Sequence, residues 1–190
     1  MTTGLADAAG SSLLLVDTQT RLLAVIPDAD RDRLMLNASR LLQTASLLKI
    51  PQLVTEQYPQ GLGPTDPALA ELLASAGQPF EKTSFSCCGA TGFDQQLQAL
   101  RRPQVIVMGI EAHVCVLQTC FDLLDRGHQV FVVEDAIAAR DPFSTANAVA
   151  RMRQAGIIVT STESVLFEWL RDAKHDVFRT VMGWLKESSE

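Results

Sequence analysis

The chain has 190 residues, 47% hydrophobic and 20% charged, with a net charge of −6, which fits one globular domain spanning 1–190. The acidic balance and the lack of any Lys/Arg cluster leave nucleic-acid binding without an electrostatic basis. No apolar run approaches the ~20 residues that span a bilayer, and residues 1–12 carry no basic residue and no long apolar stretch, so no targeting leader is read there.

Strand and helix signals alternate along the chain. An apolar run over 12–16 leads into Asp17. Residues 31–49 have helical periodicity, with Leu34, Leu41, Leu42, Ala45 and Leu48 able to share one face. Pro51 ends that segment, a strand resumes over 52–55, and 57–66 reads as a loop punctuated by Gly and Pro. Asp66 and Pro67 are a cap and first-turn pair for a helix over 67–76. A third strand is expected over 79–85, a turn over 87–91 and a short helix over 92–100. The fourth strand covers 105–109, and a helix containing Cys115 runs to Arg126, where Gly127 stops it. Strands over 129–133 and 157–160 flank a helix over 144–154, and helices over 163–170 and 176–186 close the chain.

This alternation of apolar strands with helices predicts an α/β fold: a three-layer α/β/α sandwich around a six-stranded, mostly parallel sheet. A switch in strand order near its middle leaves a crevice at the carboxyl ends, where ligands bind. Asp17, Thr55, Glu56, Lys82, the 111–115 segment and Asp135 fall at those ends.

Cys115 stands where the fourth strand turns into a helix. A thiol at a helix first turn faces free N–H groups and the positive end of the helix dipole, which favour the nucleophilic thiolate. Asp17 directly follows four apolar residues, and Lys82 lies within an apolar strand segment. Taken singly, Asp17 reads as a turn residue and Lys82 as a solvent-facing edge residue. Together with Cys115 they supply a base, a cation and a nucleophile at neighbouring strand ends. His113 competes for the base role but is too close in sequence to aim at Cys115 across a turn. Gln19, Glu56, Tyr58 and His113 belong to segments bordering the same crevice and are candidate substrate-binding residues.

The four cysteines, at 87, 88, 115 and 120, include no CxxC and no zinc-finger spacing. They read as free thiols of a reducing, cytoplasmic compartment. No metal or other cofactor is expected. Cys120 reads as a core residue, and the vicinal pair Cys87-Cys88 as two reduced thiols.

Three segments resemble the isochorismatase-like cysteine hydrolases, closest to the isochorismatase domain-containing protein subgroup. They are Leu14-Leu15-Val16-Asp17-Thr18-Gln19, Glu81-Lys82-Thr83-Ser84-Phe85 and Gly109-Ile110-Glu111-Ala112-His113-Val114-Cys115-Val116. The resemblance runs nearly end to end, with Rossmann-like topology. It implies a triad of Asp17 as base, Lys82 as cation and Cys115 as nucleophile. It also implies a cis peptide at Ile110–Glu111 and an oxyanion hole from the backbone amides of Glu111 and Cys115. The family's nicotinamidases carry an Asp-x-His…His metal site where this chain has Glu56-Gln57-Tyr58-Pro59-Gln60-Gly61, which weighs against nicotinamidase chemistry and zinc. Cys115 argues against isochorismate, because vinyl-ether-cleaving members generally lack that cysteine.

The expected function is hydrolysis of a C–N bond in a small amide or carbamoyl compound through a Cys115 thioester, with the thiol pKa lowered to ~3.5–7.5. The alternatives are a thiol redox enzyme using Cys115 with Cys87 or Cys88, and a non-catalytic oligomeric binding protein that keeps the pocket. The expected partners are a small-molecule substrate and further copies of the chain, with no nucleic acid and no membrane. Val165, Leu166, Phe167, Trp169 and Leu170 are apolar positions compatible with self-association or with the core.

Overall fold

A computed structural model describes residues 4–73 and 76–186. Among them, six strands form one sheet in the order β3-β2-β1-β4-β5-β6. These are β1 Ser11–Val16, β2 Gln52–Gln57, β3 Phe80–Lys82, β4 Gln104–Gly109, β5 Gln129–Ile137 and β6 Ile158–Thr160. Every pairing is parallel. The order reverses between β1 and β4, so the crevice opens there.

Strand alternation divides the core in two. Leu14, Val16, Leu53, Val105, Val107, Val130 and Val132 enter one apolar cluster, joined by Phe93, Cys120, Leu123 and Met152 from helices. Leu13, Leu15, Val54, Ile106, Met108, Phe131 and Val133 enter the other, against the helices Asp28–Leu47 and Thr162–Leu170. These two interfaces are the contacts of an α/β/α sandwich. Each fully buried aliphatic side chain contributes roughly 1.5–3 kcal/mol. Val165, Leu166, Trp169 and Leu170 belong to this core at 0–3% exposure. Phe167 alone of the five apolar positions is exposed, near Phe178.

The structure departs from expectation in three places that matter for the site. β3 ends at Lys82 rather than continuing to 85. The backbone leaves the sheet because the Ser84 and Phe85 carbonyls turn inward to accept from Lys82 Nζ. β5 extends to Ile137, because a register shift lets it follow β4 to Gly109. Cys115 lies in a π-helical turn, Ala112–Val116, and the α-helix proper is Leu117–Asp125. Cys115 is therefore not at an α-helical first turn, and the dipole argument for it weakens. The helix foreseen over 67–76 is Pro67–Leu72, capped by Asp66 as expected; its foreseen residues 74–75, like the ends of the 1–190 span at 1–3 and 187–190, lie outside the described residues.

Gly109 ties the two central strands together. Its φ is +122°, and a Cβ there would lie 2.1 Å from the Val16 carbonyl oxygen. No side chain fits between the ends of β1 and β4. Gly109→Ala combines a forbidden dihedral with a backbone clash and is expected to lower stability by about 2–4 kcal/mol. Denaturant unfolding reads this; an unchanged midpoint would contradict the close approach.

Candidate functional site

β1 delivers Asp17 to the crevice. Its backbone turns to φ +50°, a conformation Asp tolerates better than most residues. Its amide donates to the Thr55 carbonyl at 3.2 Å. The side chain is fully buried. Oδ2 accepts from Lys82 Nζ at 2.6 Å, and Oδ1 accepts from Thr55 Oγ1 at 2.7 Å.

Lys82 arrives from the edge strand. Register pairs it with Gln57 on β2, and its side chain has no exposure. Its ammonium faces Asp17 Oδ2, Gln57 Oε1 at 2.7 Å, the Phe85 carbonyl at 2.9 Å and the Ser84 carbonyl at 3.2 Å. Three protons thus meet four oxygens. A buried charge needs this degree of satisfaction, since losing a partner strands the other at about 3–5 kcal/mol.

Cys115 completes the cluster at 6% exposure. Its thiol lies within electrostatic reach of both Asp17 and Lys82. Its pKa is pushed up to about 12, first by burial and then by the Asp17 charge, with Lys82 pulling the other way. The expected lowering to ~3.5–7.5 is therefore reversed: at rest the proton stays on sulfur. Proximity of Lys82 suggested a thiolate, but Asp17 also acts on the sulfur and burial penalises the charge.

Asp17, Lys82 and Cys115 thus converge from three strands. Other expected residues divide. Gln19 is fully buried and occupied: Nε2 donates to the Gln57 and Gly63 carbonyls, and Oε1 accepts from the Gln57 amide. Glu56 Oε1 accepts from the amide and hydroxyl of Thr65 at 2.7 and 2.8 Å. Both side chains tie down the 57–66 segment, where the sequence predicts a loop and the structure has a short helix, Pro59–Leu62. Glu56 also follows Thr55 on the strand, so alternation aims it at the opposite face of the sheet. Tyr58 is exposed and borders a cavity of about 280 Å³ together with Lys82, Glu81 and Thr91.

His113 is turned toward Glu111, with Nδ1 3.6 Å from Oε2. Arg140 Nε reaches the same Oε2 at 3.5 Å. These are ion-pair separations; neither closes as a hydrogen bond. The Ile110–Glu111 peptide bond is cis.

Thr55, which the sequence places at a strand end without a role, and Gln57, which it leaves out, are the side-chain neighbours of the ion pair. The signal was there: alternation from Leu53 puts 55 and 57 on the same face, beside the strand that ends in Asp17. All four cysteines are free. Burial raises the pKa of Cys87 to about 11 and of Cys88 to about 12, so neither rests as a thiolate. Among the described residues no group of three His, Cys, Asp or Glu side chains is placed to hold a metal, and no helix is long and apolar enough to cross a membrane.

A doubly wound parallel sheet with a buried acid, ammonium and thiol at its switch point has the form of an isochorismatase-like hydrolase. The family model for the isochorismatase domain matches residues 11–164, and the chain belongs to that family. It is 41% identical to isochorismatase domain-containing protein 2 of Danio rerio over 95% of this chain and 89% of that protein. Among solved structures it resembles one described as MAR1 ribonuclease from Caenorhabditis elegans, with TM-score 0.90 and 37% identity over 98% of this chain and 94% of that one. It also resembles YcaC from Pseudomonas aeruginosa, solved with hexane-2,5-diol and covalent acrylamide, with TM-score 0.89 and 28% identity over 97% and 93% of the two chains.

Asp17→Asn removes the two contributions of that residue that hold the proton on Cys115 and leaves the opposing pull of Lys82. The thiol pKa is expected to fall by about 1–3 units, so thiolate forms at lower pH than in the native chain. Site-resolved alkylation by iodoacetamide across pH, read by peptide mass spectrometry, measures the midpoint. A midpoint that stays or rises would contradict the assigned causes.

Proposed function

We propose that this chain is a cysteine hydrolase that cleaves a C–N bond of a small amide or carbamoyl compound. The observation that carries the reading is the fully buried Asp17 carboxylate, paired with Lys82 at 2.6 Å and acting electrostatically on the Cys115 thiol. A nucleophile beside a base that is itself held by a third group is the recurring arrangement of covalent catalysis.

As sulfur attacks the carbonyl carbon, Asp17 takes the thiol proton. The negative charge moves to the carbonyl oxygen, where the Glu111 and Cys115 amides are assigned as donors. Asp17 then returns the proton to the departing nitrogen, and the C–N bond breaks to leave a thioester. Water, deprotonated by Asp17, splits the thioester to a carboxylic or carbamic acid and restores the thiol. Lys82 stabilises the anionic form of whichever partner has lost its proton. A thiol pKa of about 12 suits this scheme, because the sulfur ionises only while a base beside it accepts the proton.

The covalent acrylamide held by the Pseudomonas aeruginosa relative supports covalent chemistry on this fold. Protonated Cys115, Cys87 and Cys88 favour hydrolysis over the peroxidatic alternative, which needs a resting thiolate. The ribonuclease description belongs to the Caenorhabditis elegans relative. With a net charge of −6, this chain supplies little attraction for a polyanion. The reading includes a reducing, cytoplasmic setting for four free thiols, and self-association through exposed aromatic residues such as Tyr58, Phe85 and Phe143.

Intact mass spectrometry after exposure to an amide and ester library tests the reading. An acyl adduct is expected on Cys115 and absent from a folded Cys115→Ala. Asp17→Asn is expected to slow its formation by about 10²–10⁴-fold. An adduct on another residue, or turnover retained by Cys115→Ala, would end the proposal.

A further inference from the structure

Asp17 has an unassigned neighbour on the side away from Lys82. Thr55 Oγ1 lies 2.7 Å from Asp17 Oδ1 and 3.4 Å from Cys87 Sγ. The Cys87 amide in turn donates to Thr119 Oγ1 at 2.9 Å, and Thr119 sits in the helix that follows the Cys115 turn. Asp17, Thr55, Cys87 and Thr119 are each 0% exposed. The contacts therefore form a buried path from the acid back to the helix that carries on from Cys115.

Valence sets the direction of this path. A carboxylate facing an ammonium accepts hydrogen bonds and cannot donate them. Thr55 must give its single hydroxyl proton to Asp17. The Thr55 oxygen then has only lone pairs to offer Cys87, so the Cys87 thiol donates to it. The raised pKa of Cys87, to about 11, agrees with a thiol in that role.

The carboxylate torsion of Asp is soft, with no sharp staggered wells. Lys82 bonds one oxygen, and a single contact lets the carboxylate plane pivot about it. A second donor on the other oxygen fixes the plane. We propose, resting on the cysteine-hydrolase reading, that Thr55, backed by Cys87, is a positioning residue that locks the Asp17 carboxylate plane toward the Cys115 thiol. Cys87 then serves as a hydrogen-bond donor and not as a redox partner. Misplacement of a reacting group by about 1 Å can cost about 10²-fold in rate, so loss of this one hydroxyl reaches the chemistry without touching substrate.

Burst-phase acylation of Cys115 by p-nitrophenyl acetate tests the assignment, with thermal melting as the check on folding. Thr55→Val keeps the side-chain shape and removes the donor; acylation is expected to slow by about 10- to 100-fold. Thr55→Ser restores the hydroxyl and is expected within about three-fold of the native rate, a rescue that a packing role would not give. Cys87→Ala removes the second link and is expected to slow acylation by about two- to five-fold. Thr55→Val acylating within about two-fold of the native chain, or Thr55→Ser as slow as Thr55→Val, overturns the proposal. Should Thr55→Val fail to fold, the Thr55→Ala and Thr55→Ser pair decides the same point. Failure of the native chain to acylate at Cys115, or acylation of Asp17→Asn at the native rate, defeats the hydrolase reading as well; a native burst with Thr55→Val unaffected defeats the positioning role alone.

Discussion

The buried ion pair between Lys82 and Asp17 is the constraint around which the site is arranged. Neither side chain retains any exposure, and withdrawing two charges from water costs several kcal/mol each before pairing. The surroundings answer that cost with oxygens. Gln57 turns its amide oxygen to the ammonium, and the chain beyond Lys82 abandons the sheet so that two carbonyls can face it. Thr55 supplies the carboxylate with a further donor. The short length of β3 and the bent 83–86 segment thus follow from where one ammonium has to sit.

Topology determines which residues can meet. The reversal of strand order sets β1 beside β4, so an acid after one strand and a thiol after the other share one crevice. Lys82 belongs to a strand two places from β1 and reaches in past β2. The approach of Gly109 to the Val16 backbone keeps the two central ends close. Electrostatics then sets the resting state. Burial and Asp17 together outweigh Lys82 at Cys115, and the thiol keeps its proton. The proposed chemistry consequently begins from a neutral sulfur next to a charged base.

Much of this was legible in the residues. Alternating apolar strands and amphipathic helices carry the α/β/α sandwich, and a Lys between Phe80 and Phe85 is out of place unless it is paired or at a sheet edge. Asp17 was visible for the same reason: a carboxylate straight after Leu13-Leu14-Leu15-Val16 has nowhere polar to go. What sequence could not supply was competition among contacts. Gln19 and Glu56 border the crevice in sequence but are consumed by loop backbone, because the 57–66 segment needs acceptors and donors of its own. The thiol pKa was misjudged because a cation nearby in sequence logic says nothing of how deeply sulfur is buried. Thr55 is placed at the crevice by sequence but carries no role there, because an interior strand threonine looks like ordinary β propensity until its hydroxyl is traced.

The three-residue β3 has a wider consequence. It pairs with β2 through only Phe80, Glu81 and Lys82, and it forms the outer margin of the sheet. So brief a strand holds weakly by its ladder alone, yet it screens the open hydrogen-bonding edge of β2 from other chains. The Lys82 side chain, anchored beneath β1 by Asp17, acts as a rivet through that margin. The same charge pair that organises the crevice therefore also pins the outermost strand to the rest of the sheet.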